Sequence, residues 1–149
     1  YIEDRIKNFD YSNTLDREKI NPRGSVYDLK EIYDAINDEY FQNNMDLNIT
    51  WFGQRTSKNR SRLTFGLYHQ SLRLIKINKL MDAEKFPRFF VEYVVYHEML
   101  HNLCPSYYDF SGKHKVHTRE FKAEEKKFKH FNQAKQWLKV NTQKLFTGA

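Results

Sequence analysis

The sequence predicts an α+β domain in which a small, mainly antiparallel sheet packs against two long helices. Three observations carry that expectation. Over residues 26–41, Leu29, Ile32, Tyr33, Ile36 and Tyr40 recur at helical spacing and mark one apolar face. Over residues 47–78, three short runs of aliphatic and aromatic residues alternate with polar ones. Over residues 88–103 the chain has no Gly or Pro and is apolar around most of a helical circumference. A length of 149 residues suits a single domain spanning 1–149. A hydrophobic content of 40%, with twelve Phe and ten Tyr, favours a folded globule over a disordered chain despite 30% charged residues.

Taken in order, Ile2, Ile6 and Phe9 have the spacing of a short N-terminal helix, which gives way to a polar stretch through "NPRG". Ser25, three residues before Asp28, resembles a capping arrangement and opens the helix at 26–41. Leu47, Ile49 and Trp51 alternate with Asn48 and Thr50, so a half-buried strand ends near Gly53. "GQRTSKNRSR" lacks periodicity and carries Arg55, Lys58, Arg60 and Arg62, as an exposed loop does. "RLTFGLYH" and "LRLIKIN" follow as two more strands. Gly66, inside the first of these, suits either the close approach of another backbone or a bulge.

Pro87 fits the first turn of the next helix, whose residues Phe89, Phe90, Tyr93, Val94, Tyr96, Leu100 and Leu103 make it central and buried. Pro105 stops it. "CPSYYDFSGKHK" reads as a loop, with Tyr107 and Tyr108 expected to pack into the core. A charged amphipathic helix is expected over 118–131, and Trp137 and Leu138 then return to the core.

Charge is unevenly spread. Residues 1–46 hold 6 Lys+Arg against 11 Asp+Glu, net −5, and residues 47–80 hold 7 against 0, net +7. Residues 81–112 hold 2 against 5, net −3, and residues 113–149 hold 10 against 3, net +7. If the two basic segments share a face, they suit nucleic acid or an acidic protein. No apolar run approaches the ~20 residues needed to span a membrane, and the N-terminus lacks a basic segment followed by an apolar one. A cytoplasmic protein with no membrane partner is therefore expected. With Cys104 as the only cysteine, a metal would have to be held by His, Asp or Glu.

"YHEMLHNL", inside the long helix, raises that possibility directly. His97 and His101 are four apart and share a helix face, so their imidazoles can clamp one ion such as Zn²⁺. Glu98 is rotated by about 100° from His97 and can reach the open coordination position as general base toward a water there. A shuffled chain of this composition would contain roughly 0.016 copies of H-E-x-x-H, so chance is a poor explanation. In an otherwise apolar helix, two histidines and a glutamate would also be costly to bury without partners.

A catalytic zinc takes a third protein ligand. The downstream segment offers Asp109, His114, His117, Glu120, Glu124 and Glu125. His69 and His130 read as ordinary strand-end and helix residues.

The helix "YDLKEIYDAINDEYF", the strand with Trp51, "RLTFGLY", "LRLIKIN", "VVYHEMLH" and the closing "HTREF" together resemble the SprT-like zinc metallopeptidase domain, a zincin-like fold, over about residues 26–131. That resemblance implies a zinc-dependent endopeptidase: His97, His101 and His117 as metal ligands, Glu98 as catalytic base, polypeptide as substrate. The family includes Spartan-type proteases that act on proteins crosslinked to DNA, which brings in DNA as a partner through segments 55–62 and 113–149. The chain departs from many relatives in lacking a cysteine-built C-terminal zinc ribbon. It also departs in the residues after His117, where small, Gly- or Pro-containing ones are common. The alternative is a nucleic-acid-binding module whose zinc is structural.

Overall fold

The computed structural model describes residues 20–53 and 64–147, with side chains to residue 142. The expected helix at 2–9 and the basic loop at 55–62 lie outside these residues. The elements are α1 (Leu29–Phe41), β1 (Asn48–Phe52), β2 (Gly66–His69), β3 (Leu74–Asn78), a 3₁₀ turn (Lys79–Met81), α2 (Arg88–Leu103), β4 (Tyr107–Tyr108), β5 (His114–Lys115), α3 (Arg119–Glu125) and α4 (Phe131–Thr147). The architecture is α+β, with four α-helices among the described residues. None of them is long and apolar enough to cross a membrane.

α1 begins three residues later than its sequence pattern suggests, because Asp28 and not Ser25 provides the cap. The Asp28 side chain accepts from the Lys30 N–H, while the Ser25 N–H turns to Asp82. Leu29, Ile32, Tyr33 and Ile36 are buried as their spacing requires. Gln42 and Asn43 end the helix in the left-handed region. The buried Asn37 side chain then fixes the turn by exchanging two hydrogen bonds with the Met45 backbone.

The three-stranded sheet has the order β1-β3-β2. β2 and β3 form an antiparallel hairpin, but β1 runs parallel to β3. Two of the three strand pairings are antiparallel once the β4–β5 ribbon is counted. That ribbon replaces the expected loop between Cys104 and Thr118. Tyr107 and Tyr108 are 51% and 67% exposed on it, and so contribute nothing to the core.

α2 is the central element, packed against β2, β3, α1, α3 and α4. Phe90, Val91, Val95, Tyr96, Met99 and Leu100 are almost fully buried. Each large apolar side chain removed from water contributes about 1.5–3 kcal/mol, and this helix supplies more of them than any other. The single amphipathic helix expected at 118–131 is two: α3 closes after Glu125, a turn passes Phe128, and α4 starts at Phe131. Phe121 and Phe128 are both buried, and Trp137 and Leu138 pack against the core as half-buried residues.

A second anchor holds the segment before α1. Asp82 is fully buried, and its carboxylate accepts from the backbone N–H groups of Ser25, Val26 and Tyr27 at 2.6, 2.8 and 3.0 Å. Gly24 lies against that carboxylate: a Cβ there would stand 2.5 Å from it.

Candidate active site

One face of α2 carries His97 and His101, and His117 stands just before Thr118, the cap of α3. Thr118 makes that placement possible, because its hydroxyl accepts from the Phe121 N–H and starts α3 immediately after His117. One ligand nitrogen from each of the three histidines lies within 4.8 Å of the others. The ring centroids are 4.9 to 5.2 Å apart. A tetrahedral ion with bonds of about 2.0–2.1 Å needs nitrogens roughly 3.3 Å apart, which small side-chain rotations supply. Three imidazoles so arranged can hold a metal ion.

Phe121 ties these rings to the core. Its ring lies 4.9, 4.7 and 4.9 Å from those of His97, His101 and His117, and it is 1% exposed. Burial, followed by the charges of His97 and His117, pushes the His101 pKa down to about 4. His117 is also lowered, first by burial and then by His97. Both are therefore neutral at pH 7, the state that ligates a metal.

Glu125, one of the downstream residues that the sequence offers as a possible ligand, lies behind His97. It sits on the buried face of α3 and accepts from His97 Nδ1 at 2.5 Å and from the Tyr93 hydroxyl at 3.0 Å. Burial works against its charge, but these two hydrogen bonds and the His97 charge outweigh burial and hold its pKa below the usual value. An ionised carboxylate can only accept, so Nδ1 of His97 keeps its proton and Nε2 is left for an ion. The signal was present in the sequence: Thr118, Phe121, Glu125 and Phe128 share one helical stripe, and an acid on an apolar stripe needs a donor.

Glu98 is 6% exposed, and its Oε1 lies 4.0 Å from His101 Nε2. Burial pushes its pKa up to about 7, with the His97 charge pulling the other way. Its side chain rests against β2 at Gly66, where a Cβ would stand 2.9 Å from both Cγ and Oε2 of Glu98. Gly66 is thus neither a bulge nor merely a place where a backbone can approach. The missing side chain is the space that Glu98 occupies.

A cleft of about 360 Å³ runs past His97, Glu98, His101 and His117, along Gly66, Leu67 and Tyr68 of β2, to His114 on the ribbon. His114 lines this cleft but stacks on Tyr108 at 4.6 Å and is not in the three-histidine group. Asp109 caps its own turn through Ser111 and Lys113, and Glu124 pairs with Lys127. Glu120 is exposed at the start of α3, and His69 and His130 also lie outside the group.

Fold and site together define an α+β domain in which two histidines of the central helix and His117 form a group that could hold a metal ion, beside a sheet edge. The model of the SprT-like family matches residues 29–143. The chain belongs to the SprT-like family. Neither a curated protein nor a solved structure matches it.

Proposed function

We propose that this domain is a zinc-dependent endopeptidase in which His97, His101 and His117 hold the metal and Glu98 is the general base. The observation that carries this reading is the convergence of three histidines beside a buried carboxylate in a cleft along a strand edge. Zinc, when bound, acts as a Lewis acid and brings the pKa of a water to about 7. Glu98, with its pKa near 7, is suited to accept that water's proton as a peptide carbonyl is attacked. The same carboxylic acid can then protonate the leaving amine.

β2 offers a track for the polypeptide. Phe65 O accepts from Asn78 N at 2.8 Å, and Gly66 stands opposite Ile77. By the alternation of an antiparallel ladder, the backbone groups of Gly66 and Tyr68 face away from β3. An extended substrate can pair with them as an added strand.

A structural zinc in a binding module would call for a fourth protein ligand, whereas the cluster among the described residues holds three. That count favours catalysis. We further propose DNA-associated proteins as substrates. A groove beside His117, about 610 Å³, is bordered by Lys115, Arg119, Lys122 and Lys126, with exposed Tyr107 at its edge. Such cations can neutralise phosphates.

The test is cleavage of an unfolded protein by the zinc-loaded domain, with and without single- and double-stranded DNA. Glu98→Gln should retain zinc and lose cleavage. Proteolysis by that variant at the wild-type rate would refute the mechanism, and DNA binding without salt dependence would refute the groove.

A further inference from the structure

The β4–β5 ribbon divides the cleft at the three histidines from the basic groove. Side chains alternate between the two faces of a ribbon, and here Tyr107 is paired with Lys115 and Tyr108 with His114. Tyr107 and Lys115 line the groove, whereas Ser106, His114 and Val116 line the cleft. We propose that His114 is a further catalytic residue, which donates a hydrogen bond to the carbonyl oxygen of the scissile peptide bond as that oxygen takes on negative charge. The proposal rests on the endopeptidase reading and adds a group to the same site.

The chemistry sets what is needed. A water oxygen adds to the carbonyl carbon, Glu98 takes one of the water's protons, and the π electron pair of C=O moves onto the carbonyl oxygen. Collapse returns that pair, breaks the C–N bond and passes the proton from Glu98 to the leaving nitrogen. His114 transfers no proton in either step; its N–H stabilises the charge that the oxygen carries between them. A donor already aimed at developing charge avoids the reorganisation that water would need. An imidazole has at least one N–H whether neutral or protonated, so the role does not depend on its titration.

Position and elimination select His114. Glu98 packs against Gly66, so the proton acceptor stands on the β2 side of the cleft. The attacking water and the carbonyl oxygen become separate substituents of one carbon, and a donor to the oxygen has to come from another side. On the β2 wall, the Tyr68 hydroxyl already donates to Asn102, and Gln70 lies past the strand's end. His97, His101 and His117 form the group that could hold the metal. The ribbon then supplies Ser106 and His114, and an imidazole reaches further into the cleft than a hydroxymethyl group. Tyr108 is absent from the cleft lining and stacks on His114 at 4.6 Å and 15°, so it steadies the ring from behind. Asp109 closes the ribbon's turn by accepting from the Ser111 N–H, the Ser111 hydroxyl and the Lys113 N–H, which holds the two strands that carry this stack.

The experiment pairs kinetics with ligand binding on the zinc-loaded protein. His114→Ala should lower kcat and kcat/KM together by about 100-fold, as loss of a contact made in the transition state alone does. His114→Gln, which keeps an N–H donor, should recover roughly tenfold of that loss. Affinity for a phosphinic peptide, whose tetrahedral phosphorus and charged oxygen mimic the reacting centre, should fall about 100-fold in His114→Ala. The matched amide peptide should bind Glu98→Gln equally with and without His114→Ala. Zinc affinity, read by competition with a fluorescent chelator, and Tm should not change, since His114 is exposed and outside the three-histidine group. An unchanged kcat, equal losses for the phosphinic and amide peptides, or weakened zinc binding overturns the role of His114 and leaves the endopeptidase reading standing. If the wild-type protein cleaves no peptide, the endopeptidase reading falls instead. His114 is then judged by the phosphinic peptide, where equal binding to wild type and His114→Ala overturns its role.

Discussion

Glu125 offers the sharpest test of how the site is held. It is 9% exposed and accepts two hydrogen bonds, one from His97 Nδ1 and one from the Tyr93 hydroxyl. Glu125→Gln keeps the volume and an acceptor oxygen but removes the charge that fixes the His97 tautomer. Loss of such a partner behind a metal ligand lowers affinity by about 10–100-fold, or roughly 1.4–2.7 kcal/mol. Glu125→Ala goes further, leaving two buried donors unpaired at about 1–3 kcal/mol each. The metal-free protein should then lose roughly 2–6 kcal/mol, and at about 2–4 °C per kcal/mol for a chain of this size its Tm should fall by roughly 4–24 °C. Competition against a fluorescent zinc chelator reads the first effect and thermal unfolding in EDTA reads the second. The split between the variants is decisive, since Gln should weaken zinc binding with little loss of metal-free stability. A Gln variant that binds zinc within twofold of wild type would refute the orienting role.

Other perturbations probe the neighbouring parts. Gly66→Ala should force Glu98 aside, because the added Cβ meets its side chain at 2.9 Å; peptidase activity should fall about 100-fold with zinc binding retained, and unchanged kcat would argue against Glu98 packing on β2. In the metal-free protein, Glu98→Gln should raise the Tm at pH 8 and leave it unchanged at pH 4, as scanning calorimetry can show. The sign follows from a folded pKa of about 7 against an ordinary 4.5: the stability linked to protonated Glu98 is complete below 4.5 and lost as pH rises through 7. The full loss is about 3 kcal/mol. Asp82→Ala should destabilise the fold by about 3 kcal/mol or more, since three backbone donors lose their acceptor. A shift below 1 kcal/mol in urea unfolding would show that the 24–27 turn is held by other contacts.

What could be read from the sequence was whatever depends on near neighbours along the chain. The period of α2, its stop before Pro105 and the shared face of His97 and His101 are local properties, and the structure reproduces them. So is the alternation that marks β1 and β3. The parallel pairing of β1 with β3 depends on which strand lies between which, and no local pattern records that. The 118–131 segment shows a related failure. Its apolar spacing persists through Lys126–His130 although the backbone there turns, because Phe121, Phe128 and Phe131 reach one core from α3, the turn and α4 in succession. Gly66 lay beyond reach for a different reason: a glycine shows where space is needed, and the tenant, Glu98, comes from 32 positions further along the chain.

Phe121 links these threads into one physical cause. By placing an apolar ring within 5 Å of all three imidazoles, it extends the core up to the ligand nitrogens. Burial, to which β2 at Gly66 contributes on the Glu98 side, acts in opposite directions on two kinds of group. It drives His101 down to about 4 and Glu98 up to about 7. Histidines that resist protonation remain able to bind a cation, and a carboxyl that titrates near neutrality can both accept a proton and return it. Glu125 is the exception: also buried, though less deeply than Glu98, it stays ionised because His97 and Tyr93 both donate to it. Two glutamates in one site are therefore set apart by hydrogen bonds as well as by depth, one fit to orient a ligand and the other to move a proton.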